Sequence, residues 1–116
     1  MASTPHPLIE QWLADLHHEG KSRHTLTGYR RALAHFVRWS EQSYGQPFDP
    51  ATVIPRDVAD WQAFQQTVEN AKAATINLRM VALSRFFKWS VACEHTSRNP
   101  VEPVRMLRPE PHRPKS

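Results

Sequence analysis

The residues with the greatest chemical potential in this chain are cations set at helical spacing. Between positions 72 and 93 the charges are Lys72, Arg79, Arg85 and Lys88, with no acid among them. Residues 21–40 repeat the arrangement with Lys21, Arg23, Arg30, Arg31 and Arg38, again without an acid. Ammonium and guanidinium groups on a helix face neutralise phosphates and release their counterions, and arginine can also pair with guanine. That is binding chemistry. The groups that bond-breaking would need are not assembled: there is no glycine-rich phosphate loop and no credible acid/base pair, and Cys93 has no paired base. His17-His18 and Cys93-Glu94-His95 are too sparse for the usual zinc spacings and lack a Cys-x-x-Cys anchor. The expectation is therefore no catalytic residue, no metal and no cofactor.

Four helices are predicted to position these cations. In the last, Ile76, Met80, Leu83, Phe87 and Val91 recur as an apolar stripe running from about Lys72 to Cys93. Thr75, Leu78, Ala82 and Arg85 fall away from it, and Arg79 sits on its edge. Upstream, Ser22 reads as an N-cap for a helix reaching roughly to Ser43. Leu26, Tyr29, Leu33, Phe36 and Val37 form its inner stripe, opposite His24, Thr27, Gly28, Arg31, His35 and Arg38. Gly28 inside that helix costs about 1 kcal/mol relative to alanine. Its missing side chain would let something approach closely, and simple tolerance is the alternative.

A first helix is predicted to begin near Thr4-Pro5, with Pro7 able to delay it, to turn Leu8, Trp12, Leu13 and Leu16 inward, and to stop at Gly20. A third begins at Pro55 with Asp57 at its positive end, and faces inward through Val58, Trp61, Phe64 or Gln65, and Val68. Being acidic, it is expected to support the core and face away from phosphates. The four tryptophans read as core or core-edge residues.

Charge alternates along the chain. Residues 1–20 carry −3, 21–40 carry +5, 41–70 carry −4, 71–93 carry +4 and 94–116 carry +2. If the two basic helices pack side by side, one face becomes an electrostatic footprint for nucleic acid. At 116 residues with 40% hydrophobic content the chain can bury one core without staples. A lone cysteine fits a reducing compartment, and the apolar runs are too short for a membrane span. A cytoplasmic protein is expected, with no membrane partner. After Asn99-Pro100, the prolines at 103, 109, 111 and 114 among Arg105, Arg108, Arg113 and Lys115 predict a basic, semi-extended linker.

Several short stretches together resemble one family. These are Ser22-Arg23-His24-Thr25, Tyr29-Arg30-Arg31-Ala32-Leu33 with Phe36, and Asp57-Val58. Ala74-Thr75-Ile76-Asn77, Leu83, Phe86-Phe87-Lys88-Trp89 and Asn99-Pro100-Val101 complete the pattern. The chain resembles the N-terminal core-binding (SAM-like) domain of tyrosine recombinases of the phage-integrase and Xer type. Lys72-Ala73 stands where the family often has a Ser-Pro cap, and Glu94 where a glycine commonly follows the fourth helix.

The resemblance implies an all-α, four-helix orthogonal bundle over residues 1–99, with a Pro-rich linker, 100–116, leading to a missing C-terminal catalytic domain. It further implies half of a clamp around double-stranded DNA, through the second and fourth helices, alongside other recombinase protomers. Carried over by position, the contacts are Ser22, Arg23, His24, Thr25, Thr27, Gly28 and Arg31, then Lys72, Ala74, Thr75, Leu78, Arg79 and Ala82. Arg85 joins them on charge and direction alone. Cutting in that family uses a tyrosine in the other domain, so this chain is expected to bind without cutting. The rival reading is a helical protein-interaction module that offers its basic stripe to an acidic partner.

Overall fold

The computed structural model describes residues 6–108, and among them there are four helices and no strand. Helix α1 spans Pro7–His18, α2 Arg23–Tyr44, α3 Pro55–Thr67 and α4 Ala73–Ala92. A 3-10 turn, Pro50–Thr52, joins α2 to α3. The Thr4-Pro5 start proposed for α1 lies outside the described residues. His6 caps the helix instead, its Nδ1 accepting from the Leu8 N–H at 3.1 Å.

The other helix ends follow local chemistry. Ser22 Oγ accepts from the Thr25 N–H at 3.1 Å, which satisfies one of the orphan donors at the start of α2. At the start of α3, Asp57 accepts from the Ile54 N–H at 3.0 Å and from the Tyr44 hydroxyl at 2.6 Å. Helices α1 and α4 end in the same way. The Lys21 N–H reaches back to the Leu16 carbonyl around Gly20, and the His95 N–H to the Ser90 carbonyl around Glu94. Glu94 thus occupies, at φ 62°, the left-handed conformation that glycine adopts more cheaply.

Helix α4 packs against all three of the others, with its most extensive interface against α2. Ile76, Met80, Leu83, Phe86 and Phe87 are fully buried there, against Trp12 of α1, Leu33 and Phe36 of α2, and Val58 and Trp61 of α3. The aromatic rings interlock edge to face, with Phe36 5.0 Å from Trp61 and Phe86 5.1 Å from Phe87 between centroids. Outside the core, Arg30 pairs with Glu10, and Trp89 Nε1 donates to Asp15 at 2.9 Å, tying α1 to α2 and α4.

One inner-face expectation changes and one open alternative is resolved. Val68 is 66% exposed, because α3 ends at Thr67 and the next residue no longer follows the helical stripe. Gln65, and not Phe64, is the fully buried member of its pair. The stretch expected to open the linker lies against the body up to Leu107. Val101 is buried, Gln62 Nε2 donates to the Arg105 carbonyl, and the Asn77 amide brackets Leu107 through bonds of 2.7 and 3.0 Å. Pro109, Pro111, Arg113, Pro114 and Lys115 lie outside the described residues.

Candidate nucleic-acid interface

The two acid-free segments meet. Where α2 crosses α4, their outer faces form a groove with small residues at its floor and cations on its rims. Ala32 and Ala82 make the floor, 7% and 1% exposed. Gly28 lies beside them, and a Cβ added there would meet nothing within 4 Å. Neither its backbone conformation nor its packing requires glycine, so the space it leaves is available from outside.

Most of the predicted contact residues line this groove: His24, Thr25, Gly28 and Arg31 from α2, with Thr75, Leu78, Arg79 and Ala82 from α4. Leu78 is 73% exposed, an unusual position for a large apolar side chain in the middle of a helix. Ala82 corrects the outward placement that periodicity gave it. It is buried because α2 packs over that side of α4, and its small side chain lets the two helices approach. Ser22, Arg23 and Thr27 lie nearby on the exposed start of α2, where Ser22 is engaged in its cap. Two groups lie elsewhere. Lys72 and Ala74 border a depression at the start of α4 with Arg108, and Arg85 borders another with Lys21, Tyr29 and Lys88.

The cations of the groove differ in their ties. Arg31 and Arg38 are exposed and make no hydrogen bond or ion pair among the described residues. Arg79 is engaged. Its Nη1 donates to Gln65 Oε1 at 2.9 Å and lies 3.5 Å from Glu69 Oε1. Glu69 also holds His35, whose Nε2 is 2.9 and 3.0 Å from the two carboxylate oxygens. On the other side of the ring, Trp61 Nε1 lies 3.0 Å from His35 Nδ1. An indole N–H can only donate, so Nδ1 is the acceptor and Nε2 carries the proton towards Glu69.

The acidic third segment therefore does not face wholly away from this surface. Glu69 lies two residues beyond α3, where periodicity no longer assigns a direction, and it reaches the rim. Arg38 was visible as an outward cation on α2 but was absent from the contacts carried over by resemblance. Among the described residues no three His, Cys, Asp or Glu side chains converge to hold a metal ion.

The model of the family described as phage integrase, N-terminal SAM-like domain, matches residues 9–94, well over half of the chain. The chain belongs to that family. No curated protein matches it. Among solved structures it is similar to a crystal structure of a lambda integrase dimer bound to a COC' core site, with a TM-score of 0.73 at 22% identity. The match covers 93% of this chain and 36% of that one, so the integrase-domain chain spans about a third of its neighbour's length. At that identity the likeness shows a shared fold. The all-α, SAM-like bundle implied by the resemblance is the architecture found, and among the described residues no helix is long and apolar enough to cross a membrane.

Proposed function

We propose that this chain is the core-binding domain of a site-specific tyrosine recombinase, seating duplex DNA against α2 and α4 and making no cut by itself. The observation that carries this reading is the groove itself. The two acid-free segments of the sequence, residues 21–40 on α2 and 72–93 on α4, face each other across it, with a floor of Ala32, Ala82 and the side-chain-free Gly28. A basic surface with a close-approach floor suits the phosphate edge of a duplex, and helices are the elements that enter the major groove. The similar lambda integrase is described as bound to a core site, which agrees in kind.

Roles follow from chemistry. Arg31, Arg38 and the exposed start of α2 contact phosphates, aided by the unpaired N–H groups of the first helical turn. Lys72, Ala74 and Arg85 extend the same backbone track to either end of α4. Thr25, Thr75 and Leu78 offer polar and methyl contacts to base edges, and Arg79 is the guanine reader. Neither tyrosine in the described body is placed as a nucleophile. Tyr29 stacks on Trp12 at 5.2 Å, and the Tyr44 phenol is pushed up to about 12, first by its hydrogen bond to Asp57. Cutting therefore falls to a separate catalytic domain of the recombinase, and protomers assemble on the DNA with it.

Binding to a fluorescent random-sequence duplex across a salt series tests the reading. Affinity is expected in the ~10⁻⁴–10⁻⁶ M range of non-specific complexes, weakening steeply with salt. Arg31→Ala should lower the salt slope by about 0.9, the value of one lost phosphate contact, without changing the unfolding midpoint. Absence of binding even at low salt would favour the protein-interaction module, with an acidic partner on the same stripe.

A further inference from the structure

One carboxylate, Glu69, reaches the edge of the groove from outside its lining and is placed on Arg79, the cation best positioned to read a base. We propose that Glu69 is a positioning residue that holds Arg79 in reserve, so that non-specific duplex is bound without Arg79 and only a site with a matched acceptor releases it. This rests on the DNA-binding reading above and specifies how the groove separates specific from non-specific DNA.

The geometry supplies both halves of the device. Arg79 is held from two sides, by Gln65 Oε1 at 2.9 Å and Glu69 Oε1 at 3.5 Å, and its side chain is 27% exposed. Glu69 is itself fixed, because His35 donates to it while Trp61 locks the His35 tautomer. A carboxylate on the groove rim also repels a phosphate that comes near. An isolated phosphate must therefore compete with a pre-formed ion pair for Arg79 and meet Glu69 as a like charge. A guanine edge carries no net charge and offers two acceptors in the plane of the guanidinium. It can take Arg79 while leaving Glu69 bonded to His35.

Release carries a cost at Gln65, which is fully buried and whose Nε2 already has no partner among the described residues, so losing Arg79 leaves its Oε1 unpaired as well and only a well-matched acceptor repays it. Arg31, across the same groove, has no comparable tether. The two arginines should then divide the work, with Arg31 serving every sequence and Arg79 serving few.

A double-mutant cycle on random duplex tests this, using Glu69→Gln, Arg79→Ala and their combination. Glu69→Gln keeps the shape and removes the charge. It should tighten random-duplex binding by about two- to fivefold, the range of an exposed ion pair, and steepen the salt slope by about 0.9. Arg79→Ala should change little in the wild-type background and should abolish that gain in the Glu69→Gln background. Glu69→Ala, read in parallel, should act in the same direction. Equal costs of Arg79→Ala in both backgrounds, or no gain from either Glu69 variant, would overturn the proposal.

A measurement on the free protein separates this proposal from the DNA-binding reading. In nitrogen-resolved NMR, the Arg79 guanidinium protons should exchange more slowly with water than those of Arg31, and Glu69→Gln should remove the difference. Equal exchange in the wild-type protein overturns the latch whatever the DNA result. Slow Arg79 exchange with no duplex binding by any variant overturns the DNA-binding reading, and the proposed release with it.

Discussion

The two sides of the α2–α4 groove carry the same chemical group in opposite states. On the α2 side Arg31 is exposed and untethered, beside a glycine that leaves open space. On the other, Arg79 is bonded to Gln65 and Glu69, backed by His35 and Trp61. Formal charge counts these arginines equally. Pairing does not, because a tethered guanidinium must break existing bonds before it can make new ones. The difference teaches that a basic stripe is a list of possible contacts, and that the acids folded back onto it decide which are available.

The largest effect is expected where the two sides share a floor. Ala82 is buried under α2, so Ala82→Leu must push the helices apart or force strained rotamers, at a cost of about 1–3 kcal/mol. Chemical denaturation should show the midpoint falling by the corresponding amount. A stability unchanged within error would mean the crossing is loose, and that the two rims do not form one rigid groove.

That floor also marks where sequence reasoning stopped. The helix bounds were legible within about two residues, because Ser22, Gly20, Pro55 and the apolar stripes each act through local geometry. Ala82 was not legible as buried, since a single stripe describes a helix with one packed face and α4 has three neighbours. Phe86 and Ser90, also buried, widen that face beyond the stripe for the same reason. At the site, the direction of Arg31 was readable from its spacing on α2. The tether on Arg79 was not. Glu69 follows the end of α3, and Asn70 next to it takes φ 53°, so the chain turns where no period applies.

A smaller effect sharpens the open side. Gly28 sits in a helix with room for a Cβ and without positive φ, so Gly28→Ala should stabilise the fold by about 1 kcal/mol. If a duplex lies close to that point, the added methyl should weaken its binding at the same time. Opposite signs in thermal unfolding and duplex titration would identify Gly28 as a contact position. Gains in both would mean that nothing approaches it, and that the glycine is only tolerated.

The smallest expected effect concerns what sets the latched side in place. Glu69 extends from the far end of α3, and the near end of that helix is tied to α2 by the Tyr44 hydroxyl donating to Asp57 at 2.6 Å. That bond raises the Tyr44 phenol from 10.0 to about 12, with burial and the charges of Asp57 and Asp60 adding to it and Arg56 opposing. Because the folded value lies above the unfolded one, the contribution is fully present below about pH 10. It is lost as pH rises through about 12, where the phenolate can no longer donate. Tyr44 is 49% exposed, so solvent screens the interaction and the slope should be shallow. The check is the difference between wild type and Tyr44→Phe in unfolding midpoint across that window, since other groups titrate equally in both. Wild type should lose its margin over Tyr44→Phe as the pH climbs. Parallel curves would mean that Tyr44 does not hold α3, and that the position of Glu69 at the groove rests on the buried contacts of Trp61 and Gln65 alone.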